Sequence, residues 1–236
     1  MPIQGTIVLN ADKIGVTLSK LELTEKGSPV LRSEVVIFPE KLSQPTRVKD
    51  SQWAGDPKPW TQYKIKNKMH HSIEVHYFYR LGKSLPEGNI ANLGVGQGFS
   101  VAALAYGLRE SGKTESLIHG IDLYRHMPEM TKSRLEEMYK SLGLHNYIRL
   151  YEGYTQDWAD NFKNVKFIFL LIDADHYYET CKLDYEMWSP MVEVGGLMAF
   201  HDVNVNHVDR VIEELDSTKW EQIEHIACTK TFKRLR

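Results

Sequence analysis

The stretch VKFIFLLID, residues 165–173, is apolar on both faces. A half-solvated strand alternates apolar and polar residues. An unbroken apolar run is what a central strand of a parallel sheet carries, because helices cover both of its faces. The surroundings read the same way. From Asn89 onward, strand-like and helix-like segments alternate. NIANLGV is followed by the helical pattern FSVAALAYGLRE, and SLIHGIDLY by PEMTKSRLEEMYKSLGL, with Pro128 near its start and Gly143 near its stop. YIRLYEG precedes the short DWADNF, VKFIFLLID precedes YETCKLDYEMWSPMV, and GGLMAFHDV precedes HVDRVIEELDS. WEQIEHIACT and TFKRLR close the chain as paired strands. Alternation over short connections predicts an α/β fold, a doubly wound sheet with helices on both sides.

The chain ahead of this sheet has a different texture. GTIVLNADKIGVTLSKLEL and LRSEVVIF are rich in β-branched residues and read as short strands. QPTRVKDSQWAGDPKPW gathers Pro, Gly, Asp and Ser, which marks a linker. The expected division is a β-rich N-terminal extension or cap over residues 1–60 and the main domain over 61–236. The extension reads equally as a dimerisation arm, through which the chain would form a homo-oligomer, as a substrate cap, or as a small β subdomain. After it, Ile65, Met69, Ile73 and Tyr77 recur every four residues, one face of a helix that LPEGN ends.

Composition narrows the partners. The formal net charge of the 236 residues is -2, which gives no electrostatic reason to expect nucleic acid or a membrane surface. Two cysteines, Cys181 and Cys228, argue against a disulfide framework and suit a reducing compartment. The start MPIQGTIVLNADKIG lacks the basic, then apolar, pattern of a secretory signal, and no apolar run approaches bilayer length. A soluble, cytoplasmic protein is expected.

Two glycine-bearing stretches compete for the role of ligand loop. GLRESGKT, residues 107–114, fits the phosphate-loop pattern G-x-x-x-x-G-K-[ST]. A working loop of that kind follows a strand and opens a helix, so that backbone amides at the helix N-terminus cradle phosphate. Here the order is helix, loop, strand, and the match reads as an accident, with Gly112 as an ordinary helix stop. NLGVGQGFS has the right placement: Gly94, Gly96 and Gly98 follow the first sheet strand and precede its crossover helix. Glycines there let the backbone turn tightly and approach a ligand. The dinucleotide fingerprint would need glycine at Phe99, so a nicotinamide cofactor fits poorly. Asp122 ends the next strand, near the spacing at which a carboxylate meets ribose hydroxyls in nucleotide-binding α/β folds.

With these residues in place, NLGVGQGFS resembles the first motif of class I S-adenosylmethionine-dependent methyltransferases, and HGIDLY resembles their second. The segment LLIDADHYYETCKLDYEMWSPMVEVGGLMAFHDV is similar to the fourth- and fifth-strand region of the metal-dependent O-methyltransferase branch, which includes catechol-type and sugar enzymes. The likeness runs from about Lys64 to the C-terminus. It implies a Rossmann-like, seven-stranded sheet with an antiparallel last strand. It also implies S-adenosyl-L-methionine as cofactor, with Gly94, Gly96 and Gly98 along the methionine moiety, Asp122 with the adjoining Leu123 at the ribose, and the loop carrying Gly153, Tyr154 and Thr155 bordering the adenine.

The last feature is a cluster. Asp173 and Asp175 end one strand, His201 and Asp202 the next, and adjacent parallel strands bring such ends together. Oxygen donors suit Mg²⁺, and an imidazole widens the range to Mn²⁺, Fe²⁺ or Zn²⁺. The resemblance implies a divalent metal, Mg²⁺ first, at Asp173, His201 and Asp202, although relatives usually carry an oxygen ligand where His201 stands. Alternatively Asp173 and Asp175 hydrogen-bond the cofactor and His201 works alone as a general base. Asp173, His176 and His201 are the candidate catalytic groups. The implied reaction is O-methylation of a small-molecule or sugar acceptor. An NAD(P)-dependent oxidoreductase and a catalytically silent nucleotide-binding module are the competing readings.

Overall fold

The computed structural model describes residues 15–23, 29–37, 72–125, 131–203 and 207–236, the first two spans as backbone. The chain forms two compact units, Met1–Arg47 and Val48–Arg236. In the first, β1 (Gly15–Leu23) and β2 (Pro29–Ile37) pair antiparallel, from Gly15 opposite Ile37 to Leu23 opposite Pro29. The expected linker and the division at residue 60 lie outside the described residues.

The second unit is built on one sheet. β6 (Phe167–Ile172) is buried at every position, as its unbroken apolar run requires. β3 (Asn89–Leu93) flanks it on one side and β7 (Val192–Phe200) on the other, both parallel to it. β4 (Leu117–Asp122) and β5 (Ile148–Glu152) extend the sheet beyond β3, again parallel. At the opposite edge β9 (Thr229–Arg234) runs antiparallel to β7, and β8 (Trp220–Ile226) antiparallel to β9. The order β5-β4-β3-β6-β7-β9-β8 makes seven strands, with the last in sequence alone reversed. The chain steps outward from β3 to β5 and then returns to lay β6 beside β3. The crevice beyond the carboxyl ends of β3 and β6 is therefore the switch point, where sheets of this class bind ligands.

Helices alternate with the strands. α1 (Ser72–Ser84) precedes the sheet, and α2 (Phe99–Glu110), α3 (Lys132–Ser141), α4 (Thr155–Phe162), α5 (Tyr178–Trp188) and α6 (Val208–Glu213) follow β3 to β7 in turn. Thr131 caps α3, its side chain accepting from the Arg134 N–H. The sheet core gathers Phe167, Leu170, Ile172, Trp188, Phe200 and Phe232.

Two expectations are corrected or sharpened here. On α1 the deeply buried positions include Glu74, Val75, Phe78, Tyr79 and Leu81, while Ile73 and Tyr77 are only half-buried. Ile65 and Met69 lie outside the described residues. The apolar face is thus rotated from the one the four-residue spacing suggested, because α1 is covered by α2 and also touches the β8–β9 hairpin. The phosphate-loop match, in turn, has a structural cause. Gly107 lies inside α2, and a Cβ there would stand 2.2 Å from the Tyr79 carbonyl oxygen of α1. Gly107 is the point where two helix backbones cross. Lys113 donates to the Gly82 carbonyl at 3.1 Å, capping α1 rather than facing a phosphate.

Candidate active site

β3 turns into α2 through the three glycines. Gly94 has φ +83, and a Cβ on it would stand 2.0 Å from the Asp173 carbonyl oxygen. The loop after β3 and the end of β6 are pressed together, and only glycine fits between them. Beneath the turn, buried Asn92 donates to the Gly94 carbonyl at 2.6 Å and accepts from Ser100 at 3.2 Å. Sequence reasoning passed over Asn92; its signal was a polar residue between the apolar Ile90, Ala91 and Leu93 of a short strand.

Asp122 binds this loop directly. Its Oδ2 accepts the N–H groups of Val95 at 2.7 Å and Gly96 at 2.8 Å, and its Oδ1 that of Tyr124 at 2.7 Å. The carboxylate meant for a ribose therefore also ties β4 to the glycine turn. Leu123, half-buried, follows it, and Tyr124 takes the left-handed conformation with φ 51. At the end of β5, the Gly153 N–H donates to the Asp122 carbonyl at 3.0 Å, so the expected adenine loop adjoins Asp122. Tyr154 is 55% exposed at its tip. Thr155 is buried, and its hydroxyl is committed to Asp184 of α5 at 2.5 Å. Gln156 donates to the same oxygen at 2.6 Å, and Trp188 donates to the Thr155 carbonyl at 3.2 Å. α5 thus clamps the loop from behind. Burial pushes the Asp184 carboxyl up to about 7, against the pull of its two hydrogen bonds.

The second focus lies at the ends of β6 and β7. Asp173 Oδ1 stands 3.2 Å from His201 Nδ1, and Asp202 Oδ2 stands 3.4 Å from the same nitrogen. These three residues offer ligand atoms within 4.8 Å of one another. His176 joins from the open side, its Nε2 3.3 Å from Asp202 and 3.6 Å from Asp173. Asp202 is held with φ 51, a left-handed conformation that only a few residue types tolerate. Asp175 stays outside the cluster. It is exposed, and its Oδ1 accepts the Tyr177 N–H at 3.2 Å, at the start of α5.

Electrostatics follow from this packing. Burial disfavours charge on His201, but the charge of Asp173 above all, with the hydrogen bonds the imidazole makes to Asp173, Asp202 and Cys228, holds its pKa well above 6.5. The Asp173 hydrogen bond outweighs burial to raise His176 as well. Burial pushes Asp202 up, yet the His201 hydrogen bond and charge bring it below its usual value. Carboxylates and imidazoles are matched so that a bound dication could replace the imidazole protons without leaving charge unbalanced.

Behind His201 lies a group that sequence reasoning missed. Glu74 of α1 is fully buried, and its Oε1 stands 3.5 Å from His201 Nε2. The same oxygen accepts the Cys228 N–H and thiol, each at 3.1 Å, and the Thr229 hydroxyl at 2.7 Å. Burial pushes the Cys228 thiol up to about 12, so it acts as a hydrogen-bond donor.

Residues 91–203 match the family described as a methyltransferase domain. No curated protein matches the sequence significantly. Among solved structures, the chain is similar to the O-methyltransferase NovP, with 15% identity, a TM-score of 0.57, and coverage of 69% of this chain and 78% of that one. An O-methyltransferase from Bacillus cereus in complex with SAH shares 14% identity at a TM-score of 0.55, over 70% of this chain and 83% of its own. CalS11, a TDP-rhamnose 3'-O-methyltransferase, shares 17% identity at a TM-score of 0.53, over 76% and 88%. At these identities the likeness speaks for the fold, and the family match spans the motif-bearing residues 91–203. Residues 91–203 of the sheet unit thus match a methyltransferase domain, and the unit has the fold of these solved O-methyltransferases.

Proposed function

We propose that this protein transfers the methyl group of S-adenosylmethionine to a hydroxyl of a small molecule or sugar, assisted by a divalent cation. One observation carries the reading. The Asp122-bound glycine turn and the Asp173–His201–Asp202 cluster lie side by side at the carboxyl ends of the strands, since Gly94 packs against Asp173 itself. A donor lying over the first would have its reactive end beside the second.

The sulfonium supplies an electrophilic methyl. Transfer breaks its C–S bond, forms a C–O bond to the acceptor, and releases one proton. The chain's own task is alignment and proton removal. Asp122 and the Val95–Gly96 amides fix the turn against which the donor rests, and Asp122 Oδ1, which accepts only the Tyr124 N–H, has a lone pair left for a ribose hydroxyl. The buried Asp184–Thr155–Gln156 contacts hold the neighbouring loop in shape. Asp173, His201 and Asp202 would hold the cation, which would favour the deprotonated form of the acceptor hydroxyl. His176, on the open side of the cluster, takes up the acceptor's proton. Tyr154 and Tyr177, 55% and 64% exposed, are available to cover a planar or sugar ring.

The test is transfer of a tritiated methyl group from S-adenosylmethionine to a panel of catechols, sugar nucleotides and glycosides. The expected product is an O-methyl ether whose formation stops with EDTA and returns with added metal. Label appearing only on nitrogen acceptors, or none appearing while NADH is consumed, would overturn the proposal.

A further inference from the structure

We infer that Glu74 is the positioning residue of the cation site: it holds His201 through Nε2, so that Nδ1 enters the donor set beside Asp173 and Asp202. The inference rests on the cation reading above and deepens it. A metal-binding imidazole works through one nitrogen only when the other is fixed, most often by a carboxylate that takes its N–H. His201 has that arrangement on both sides. Its Nδ1 faces Asp173 at 3.2 Å and Asp202 at 3.4 Å, and its Nε2 faces Glu74 at 3.5 Å and, at 3.6 Å, the Cys228 thiol that Glu74 itself holds. Glu74 comes from α1, His201 from the end of β7, so the contact joins an element outside the sheet to the heart of the cluster.

The opposite assignment is disfavoured. Glu74, His201 and Cys228 also offer ligand atoms within 4.8 Å of one another, and an ion could be imagined on the Nε2 side. There, however, Glu74 Oε1 already accepts from the Cys228 N–H, the Cys228 thiol and the Thr229 hydroxyl. An ion would have to break that buried network, and breaking a satisfied one leaves buried donors without acceptors. On the Nδ1 side, Asp173 and Asp202 are more open, with side chains 13% and 29% exposed. Glu74 is therefore an outer carboxylate, and the inner donors are one imidazole and two carboxylates. That set suits a borderline ion of the Mn²⁺, Fe²⁺ or Zn²⁺ class better than Mg²⁺, which prefers oxygen and sheds water reluctantly.

The experiment uses the full chain and three probes: Co²⁺ followed by its ligand-field absorption, Mg²⁺ by competition, and S-adenosylmethionine by calorimetry. The wild type is expected to bind Co²⁺ far more tightly than Mg²⁺. Glu74→Gln keeps an acceptor for Thr229 and Cys228, and is expected to weaken Co²⁺ about 10- to 100-fold while S-adenosylmethionine affinity is unchanged. In the Zn²⁺-loaded wild type, two-bond ¹H–¹⁵N spectra are expected to show His201 with its proton on Nε2 and the metal on Nδ1. That spectrum needs no variant, so it decides the matter even if Glu74→Gln fails to fold. Unchanged Co²⁺ affinity in Glu74→Gln overturns the inference. So does a proton on Nδ1, or a thiolate-to-cobalt band that Cys228→Ser removes. Failure of the methyl-transfer reading would register separately, as loss of S-adenosylmethionine binding with metal binding intact.

Discussion

Asp173 touches more of the proposed chemistry than any other side chain. Its Oδ1 lies within reach of both His201 and His176, and its carbonyl abuts Gly94. Asp173→Ala should lower methyl transfer by at least about 100-fold while leaving S-adenosylmethionine affinity within a few-fold; turnover near wild type would remove the cluster from the mechanism. Asp184 makes a prediction of opposite character, about stability. Its folded pKa is raised from 3.8 to about 7 by burial, so between those values the folded state binds a proton that the unfolded state does not. Stability from this group is therefore full in acid, falls as pH rises through about 7, and is flat above that. The loss is on the order of 4 kcal/mol. Asp184→Asn should remove it, so the melting temperature of wild type relative to Asp184→Asn should fall between pH 5 and pH 8; a constant difference would contradict the assignment. Of these residues, Asp122, Asp173, His201 and Asp202 were legible because strand ends can be counted in a sequence. Glu74 was not. It sits in a helix first turn, where an acidic residue looks solvated, and its partner Cys228 is 154 positions downstream.

At the level of elements, α1 and α2 explain a motif that composition alone misreads. An alanine inside an exposed helix normally gains stability over glycine. Gly107→Ala should do the reverse, because the added carbon meets backbone atoms of α1, the Tyr79 oxygen at 2.2 Å and the Lys83 nitrogen at 2.8 Å. Backbone cannot yield cheaply, and an overpacking cost of about 1–3 kcal/mol is expected in chemical denaturation. A neutral or stabilising result would show that the two helices can separate. The elements themselves were readable from periodicity and stops. Their buried faces were less so. α1 was expected to hide Ile73 and Tyr77, but a helix covered by both α2 and the terminal hairpin has two contact faces, which a single spacing cannot encode. The resemblance put Thr155 in the loop that borders the adenine. Its hydroxyl donates to Asp184, a partner 29 residues away that no local pattern reveals.

For the molecule as a whole, the apolar run of β6 and the alternation around it were enough to predict the doubly wound sheet, and the strand order β5-β4-β3-β6-β7-β9-β8 places the switch point beside that run. Among the described residues no helix is long and apolar enough to cross a membrane. What the sequence left open is the acceptor, because its contacts would come from loop tips such as Tyr154 and Tyr177, whose side chains point to solvent and obey no periodicity. The central claim is that the crevice at the ends of β3 and β6 accepts a sulfonium nucleoside. Calorimetric titration with S-adenosylmethionine, NADH and ATP in parallel tests it most directly. Saturable binding of S-adenosylmethionine is expected, with a Kd between about 1 μM and 1 mM, weakened by about tenfold or more in Asp122→Ala, and no saturable heat from NADH or ATP. Saturation by NADH or ATP with none by S-adenosylmethionine would contradict the account.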